Sequence, residues 1–322
     1  MLKRFFLASL MVLSVAPAAW AQGQWPDKPV KFILSQPAGS GPDNVARLLG
    51  ERLGKPWGQS VVIENKPGGQ NTIGAQAAAK APADGHSFYF ATTAALVTNS
   101  YLFKQLPYDP QKDFVPVTFI ARSPFGILVR ADSPVRSVED LIARSREMGG
   151  QFTLGNEGAR TFGGMIARLF NARAKASANL IAYASNGASV QDLLGGHVQA
   201  IVADVASTAA LVKQGRLRLL AVTAARPVPG FETVPRLADL LPGLDLVGWF
   251  ALVAPTGTPQ AVIDRVSQDV SMALSDPEIV QRMATLGPIA EPGWKPEQLG
   301  TFLREEHARW GSLAKEIGVL PE

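Results

Sequence analysis

The stretch VKFILSQPAGSGPDNVARLLGERL, residues 30–53, reads as a strand, a glycine-bearing turn and a helix in direct succession. Val30-Lys31-Phe32-Ile33-Leu34 is a short apolar run that suits a strand. Pro37 to Asp43 (PAGSGPD) punctuates the chain as a loop. From Val45 to Leu53 apolar residues return at helical spacing. The unit then repeats. Val61-Val62-Ile63 is a second strand, Asn65 to Asn71 (NKPGGQN) a loop, and Ile73 to Ala81 an Ala-rich helix. Ser87 to Thr92 is a third strand. Strands joined by helical crossovers imply parallel pairing and an α/β class.

The alternation continues along the chain. Phe114 to Ala121, Gly126 to Val129, Phe152 to Gly155, Asn179 to Tyr183, Ala200 to Ala203, Leu217 to Thr223 and Phe250 to Val253 read as strands. Ser137-Val138-Glu139-Asp140 opens a helix with a capping-box pattern. Thr258-Pro259 and Asp276-Pro277 each place a cap residue before proline. Lys295 to Ile317 is a long helix with Leu299, Phe302, Leu303, Trp310, Leu313, Ala314 and Ile317 along one stripe. Arg122-Ser123-Pro124 and Val247-Gly248-Trp249 look like crossings between two lobes. That division gives lobe one residues 22–123 and 248–322, and lobe two residues 124–247.

With 322 residues, 47% hydrophobic and 18% charged, the chain has the balance of a globular protein with room for two cores. It has no cysteine, which excludes disulfides, thiolate nucleophiles, zinc–cysteine sites and lipid attachment through Cys. Three scattered histidines, His86, His197 and His307, make a His-rich metal site improbable. Residues 1–21 read as a secretory leader. Lys3 and Arg4 form its basic start, Phe5 to Ala16 its apolar stretch, and Ala19-Trp20-Ala21 its cleavage pattern. An exported chain starting near Gln22 is expected. Of the net charge of +4, Lys3 and Arg4 carry two, so little basic excess remains and nucleic acid is not an expected partner.

Three loops carry chemical content. The first, Gln36 to Asp43, places Ala38, Gly39 and Ser40 before a helix whose unpaired N–H groups attract anions. Asp43 sits in that helix's first turn, where it caps the helix or receives a ligand ammonium. The second, Asn65 to Thr72, carries Gly68, Gly69, Gln70 and Asn71 in the same placement. The third, Gly155 to Thr161, carries Asn156, Arg160 and Thr161. Arg160 either clamps a carboxylate, pairs with Glu157 or points to water. In parallel sheets such loops gather on one edge, where ligands bind.

Catalytic signatures are missing. Ala38 stands where a nucleophile elbow around Ser40 needs its first glycine. Gly50 to Lys55 is one residue short of a phosphate-binding P-loop and runs into Pro56. Asn44 replaces the last glycine of a dinucleotide fingerprint. The three histidines read as structural or surface residues, and Glu305-Glu306 as a solvated helix face.

Taken in order and spacing, several motifs resemble one family. They are Pro37-Ala38-Gly39 with Asp43, Val61 to Gly68 (VVIENKPG), Asp84-Gly85, Leu106 to Pro110 (LPYDP) and Asp113-Phe114. Asp192 to Gly196 (DLLGG), Leu217 to Thr223 (LRLLAVT), and Trp249 with Ala254 to Pro259 (APTGTP) follow. The chain resembles the Bug, or TctC-type, periplasmic solute receptors of tripartite tricarboxylate transporters over nearly all of its length after the leader. The resemblance implies a type II periplasmic-binding-protein fold, with two α/β lobes joined by a two-crossing hinge. It implies a small carboxylate ligand, or an amino acid, held at Ala38, Gly39, Ser40, Asp43, Gly68 and Gly69, with Thr92 and Thr93 at the third strand's end. In lobe two it implies Asn156, Thr161, Tyr183 and Asp204.

This chain departs from the family pattern. Gln70 and Asn71 stand where the family has more Gly or Ala, and Asn156, Glu157, Arg160 and Gly164 replace a Ser/Gly-rich loop with a downstream His. Ser185 replaces a usual Gly after Tyr183. The expected protein is a non-enzymatic monomer without cofactor or metal, serving permease subunits in the periplasm. The rivals are a ligand-sensing partner of a signalling receptor and an exported serine hydrolase using Ser40.

Overall fold

The computed structural model describes residues 25–316, 318, 319 and 321. The leader reading lies outside the described residues, as does Ile317 of the last helical stripe.

From the start the chain runs β1 (Val30–Leu34), α1 (Gly41–Trp57), β2 (Val61–Asn65), α2 (Thr72–Ala79), β3 (Ser87–Thr92), α3 (Asn99–Leu102) and β4 (Phe114–Ser123). It continues through β5 (Phe125–Arg130), α4 (Val138–Met148), β6 (Thr153–Asn156), α5 (Phe162–Ala174), β7 (Asn179–Ala182) and α6 (Asn186–Gly195). Then come β8 (Ala200–Asp204), α7 (Val205–Lys213), β9 (Leu217–Val222) and α8 (Leu237–Leu240). It closes with β10 (Gly248–Pro255), α9 (Gln260–Leu274), α10 (Pro277–Leu286), β11 (Ile289–Ala290) and α11 (Pro296–Glu316).

Two sheets result. The first has the order β11-β4-β10-β3-β1-β2 and the second β7-β6-β8-β5-β9. The chain passes from the first to the second across Pro124 and returns with β10 at Gly248. The expectation of parallel pairing holds for β1 with β2 and β3, and for β6 with β7 and β8. It fails at the crossings. β10 runs antiparallel to β3 and β4, and β5 antiparallel to β8 and β9. A strand that enters a sheet from the other lobe needs no crossover helix on that sheet, so nothing forces it parallel.

Local chemistry sets the element ends that matter for the site. Ser40 caps α1 by accepting the Asp43 N–H, Pro42 lies in its first turn, and Gly58 ends it in the left-handed region. The helix runs four residues beyond Leu53, through Pro56. Gly74 lets α2 press onto β1, since a Cβ there would sit 2.5 Å from the Ser35 hydroxyl and 2.9 Å from the Leu34 carbonyl.

The hydrophobic core does not stop at the lobe boundary. One cluster runs from Ile33, Tyr89 and Phe119 of the first sheet through Trp249 to Phe125 of the second and to Phe162 and Phe170 of α5. The long helix α11 takes part on both sides. Its Trp310 meets Phe162 edge-on at 5.3 Å, while Glu316 holds Arg173 of α5 through two bonds of 2.8 Å. Glu306 corrects the reading of Glu305-Glu306 as a solvated face. It is buried and accepts the indole N–H of Trp249 at 2.8 Å, because α11 turns that side inward against β10. His307 is buried beside Tyr101, whose hydroxyl donates to its carbonyl.

Candidate ligand-binding cleft

The loops after β1 and β2 and the end of β3 lie together at the C-terminal edge of the first sheet, tied by side-chain amides. Asn65 donates to the Gln36 carbonyl at 3.0 Å and to Asp43 Oδ1 at 2.9 Å. Gln36 Nε2 reaches Asn71 Oδ1 at 2.9 Å and Thr92 Oγ1 at 3.3 Å. Ser35 donates to the Asn71 carbonyl at 2.9 Å.

Asp43, 1% exposed, is the brace of the first loop. Its carboxylate accepts the Gly39 N–H at 2.8 Å, Arg47 Nε at 2.9 Å and the Asn65 amide. Burial opposes its ionisation. The Arg47 bond, the Gly39 N–H, the Asn65 amide and the Arg47 charge outweigh burial and hold the carboxyl below its usual range. Of its two sequence readings, the structure gives it the internal one. Ala38 and Gly39 form the exposed tip of the loop, with Ser40 half-buried behind them.

The second loop is conformationally unusual. Gly68, Gly69, Gln70 and Asn71 have φ of +116°, +55°, +52° and +78°. The first two positions suit glycine. Gln70 and Asn71 occupy the left-handed region at a cost, offset by Asn99 donating to the Gln70 carbonyl and Ser35 to that of Asn71. These are the two positions at which the resemblance leads one to expect Gly or Ala. Thr92 is half-buried and faces Gln36, whereas Thr93 is buried and accepts the Trp249 N–H at 3.0 Å. Thr93 therefore fastens the returning strand β10.

In the second lobe, Asn156 ends β6 only 2% exposed and turns the loop by accepting the Gly158 N–H at 3.0 Å. Thr161 caps α5, donating to Gly158 O at 2.8 Å and accepting the Gly164 N–H at 3.2 Å. Tyr183 belongs to the lobe's body. Its hydroxyl donates to Asp192 at 2.8 Å, and burial, reinforced by Asp192, pushes it up to about 12. Asp204 caps α7 through the Ser207 N–H at 2.8 Å.

Among the described residues, the two lobes meet near these loops, among other places, at two points. The Arg160 guanidinium lies 5.1 Å from the ring centre of Phe103, just past α3. Asp204 and Ala206 abut the start of α1, where a Cβ on Gly41 would stand 3.1 Å from each. The N-terminal ends of α1 and α7 thus meet across the two lobes. Two shallow grooves of about 550 and 520 Å³ flank this region, one beside α1 and β2 and one around residues 100–110 that includes Phe103.

Three residues outside the set that the sequence points to have a place here. Gln36 links the two loops of lobe one. Glu157 accepts the Gly163 N–H at 3.2 Å and Asn186 Nδ2 at 2.7 Å, and Asn186 also donates to Asp204. Burial first, then the charge of Asp204, raise the Glu157 carboxyl to about 7 against those donors. Glu157 stands in the quoted third loop, and a carboxylate in a glycine-bearing turn after a strand was the available signal. Asn186, 29 residues further on, carries no local signal.

Two α/β lobes, twice connected and facing each other through glycine-bearing loops, define a binding protein of the periplasmic type. The chain belongs to the TctC family, described as "Tripartite tricarboxylate transporter family receptor", whose model matches residues 45–319. It is 32% identical to a UPF0065 protein of Bordetella bronchiseptica over 99% of this chain and 94% of that one. The structure of R. palustris Rpa4515 with adipate is similar at a TM-score of 0.88 and 30% identity, covering 92% of this chain and 100% of that one. The periplasmic binding protein BugD follows at 0.87 and 27%, covering 92% and 100%.

Proposed function

We propose that the protein captures a small carboxylate-bearing solute between its two lobes and delivers it to the membrane subunits of a tripartite tricarboxylate-type transporter. The lobes are residues 22–123 with 248–322, and residues 124–247. Export to the periplasm through the segment 1–21 belongs to the same reading. The observation that carries it is the contact of the start of α1 in one lobe with the start of α7 in the other, in a chain of a receptor family. The positive end of α1 and the glycine-bearing turn from Gly68 to Gln70 supply the attraction for a carboxylate, the Gly39, Ser40 and Asn71 N–H groups being taken by Asp43 and the Pro37 and Gly68 carbonyls. Binding of adipate by Rpa4515, a relative of like fold, supports that ligand class. Asp43 and Thr93 act behind this surface, the one holding the first loop and the other the hinge strand. The protein works by closure and release, without turning over its ligand.

A thermal-shift screen of the purified protein against mono- and dicarboxylates, amino acids and aromatic acids tests the proposal. A ligand at a hundredfold excess over its Kd stabilises by about 2.7 kcal/mol. That corresponds to roughly 4 °C for a chain of this size. The reading fails if no compound of these classes shifts the transition. It fails equally if the protein hydrolyses esters and Ser40→Ala abolishes the turnover.

A further inference from the structure

One contact between the lobes is steric alone and fits to the last methyl group. Ala206, half-buried in the first turn of α7 in lobe two, lies between two buried glycines of lobe one. A Cβ on Gly41, the first residue of α1, would stand 3.1 Å from the Ala206 Cβ and 3.1 Å from Asp204 Oδ1. A Cβ on Gly287, which ends α10, would stand 3.0 Å from the Ala206 nitrogen and 3.1 Å from its Cα. Gly287 has a φ of +99°, so its backbone suits glycine as well. Gly41 lies outside the left-handed region, and what calls for glycine there is the approach of α7. The two seats belong to one face of lobe one, since α1 packs on α10 and Arg52 holds Asp276 at 3.0 Å. On the other side, the Val205 N–H donates at 2.9 Å to the carbonyl of Pro124, where the chain crosses between the lobes. Asp204 keeps its carboxylate on Ser207 and Asn186 of its own lobe. Among the described residues no hydrogen bond or ion pair joins α7 to α1 or α10.

We infer that Ala206, seated between Gly41 and Gly287, is the stop on which the lobes close, and that it sets solute affinity as a positioning residue. This rests on the receptor reading above and names the residue that governs closure within it. A turn of the chain at Pro124 carries the start of α7 with it, because Val205 is bonded there. A seam without directed bonds parts and re-forms at little cost, and its fit is set by shape. A larger side chain at 206 therefore holds the lobes apart. The apparent Kd is the intrinsic Kd divided by the fraction of molecules able to close, so a wedge weakens every solute by the same factor. A residue that touched the solute would instead weaken some solutes more than others.

Isothermal titration of the wild-type protein, Ala206→Leu and Ala210→Leu with succinate, adipate, malate and benzoate tests the assignment. Ala210 is exposed one turn further along α7, so its variant makes the same side-chain change away from the seam. Ala206→Leu is expected to raise the Kd of every probe that the wild-type protein binds by about tenfold or more, and by one common factor. Ala210→Leu is expected to bind as the wild type does, and both variants to keep its circular dichroism spectrum. A second pair of variants moves one methyl group across the seam. Gly41→Ala is expected to weaken binding about fivefold or more, and adding Ala206→Gly to restore most of the loss. An unchanged Kd in folded Ala206→Leu, an equal loss in Ala210→Leu, or a loss confined to one of several bound probes overturns the inference and leaves the receptor reading standing. If Ala206→Leu does not fold, an unchanged Kd in Gly41→Ala, or a loss there that Ala206→Gly does not relieve, overturns it. Failure of the wild-type protein to bind any of the four probes, together with a flat thermal-shift screen, removes both readings.

Discussion

Asp43 shows how a single residue shapes this site without facing a ligand. Its carboxylate joins the tip of the first loop, the first turns of α1 and the end of β2. Asp43→Asn keeps the shape but removes the charge that Arg47 and the Gly39 N–H use. It is expected to cost about 1.5–3 kcal/mol in chemical denaturation, the range for charged hydrogen bonds. Its lowered carboxyl contributes stability that is present above the ordinary aspartate range and lost as pH falls below it. Glu157 has the opposite sign. A carboxyl raised to about 7 binds more protons folded than unfolded, so its contribution falls as pH rises from its ordinary range near 4.5 to about 7. The slope reaches about 1.4 kcal/mol per pH unit inside that window. Glu157→Gln is expected to flatten the ligand-free stability profile there, read by urea unfolding at several pH values. An unchanged profile contradicts the assignment. At this scale the sequence told little. The position of Asp43 in a first turn was legible, but its capture by Asn65 depends on two loops meeting in space. Asn186 came into view only because α6 begins beside β8.

The elements were more legible, and the reasons are physical. Short apolar runs between glycine-bearing loops placed β1, β3, β6 and β9 within a residue or two of where they lie. β11 has two residues, too few for any periodicity to show. The antiparallel course of β10 is set by the route of the chain through the second lobe. Glu306 was misread because an acidic pair on a helix ordinarily faces water, while here Trp249 offers a buried N–H that needs an acceptor. Glu306→Leu is expected to cost about 1–3 kcal/mol by leaving that indole donor unpaired. Glu306→Gln, which still accepts, should cost less; equal losses contradict the account. Trp310→Ala should cost about 3–5 kcal/mol, as truncation of a large buried ring does.

For the whole molecule, α11 joins the lobes. It packs on β4 of the first sheet and also reaches Phe162, Arg173 and Asp245 of the second lobe. The ion pairs Arg173–Glu316 and Arg309–Asp245 are partly exposed, so breaking either is expected to cost at most about 1 kcal/mol. The apolar seam around Trp310 is what couples the lobes in folding, and a single unfolding transition by fluorescence and circular dichroism is expected. The two-lobed plan was readable from the alternation and two crossings. The continuity of the core through Trp249 was not, since it depends on which faces of β10 and α11 turn inward.

A crystal structure of the protein with the best ligand from the thermal-shift screen measures the central claim directly. A carboxylate is expected within hydrogen-bond distance of main-chain N–H groups in residues 38–41 and 68–72, with residues 156–157 and 204 closing over the remainder of the molecule. A ligand seated outside the gap between the two sheets, in the groove beside α1 and β2 for example, would contradict it.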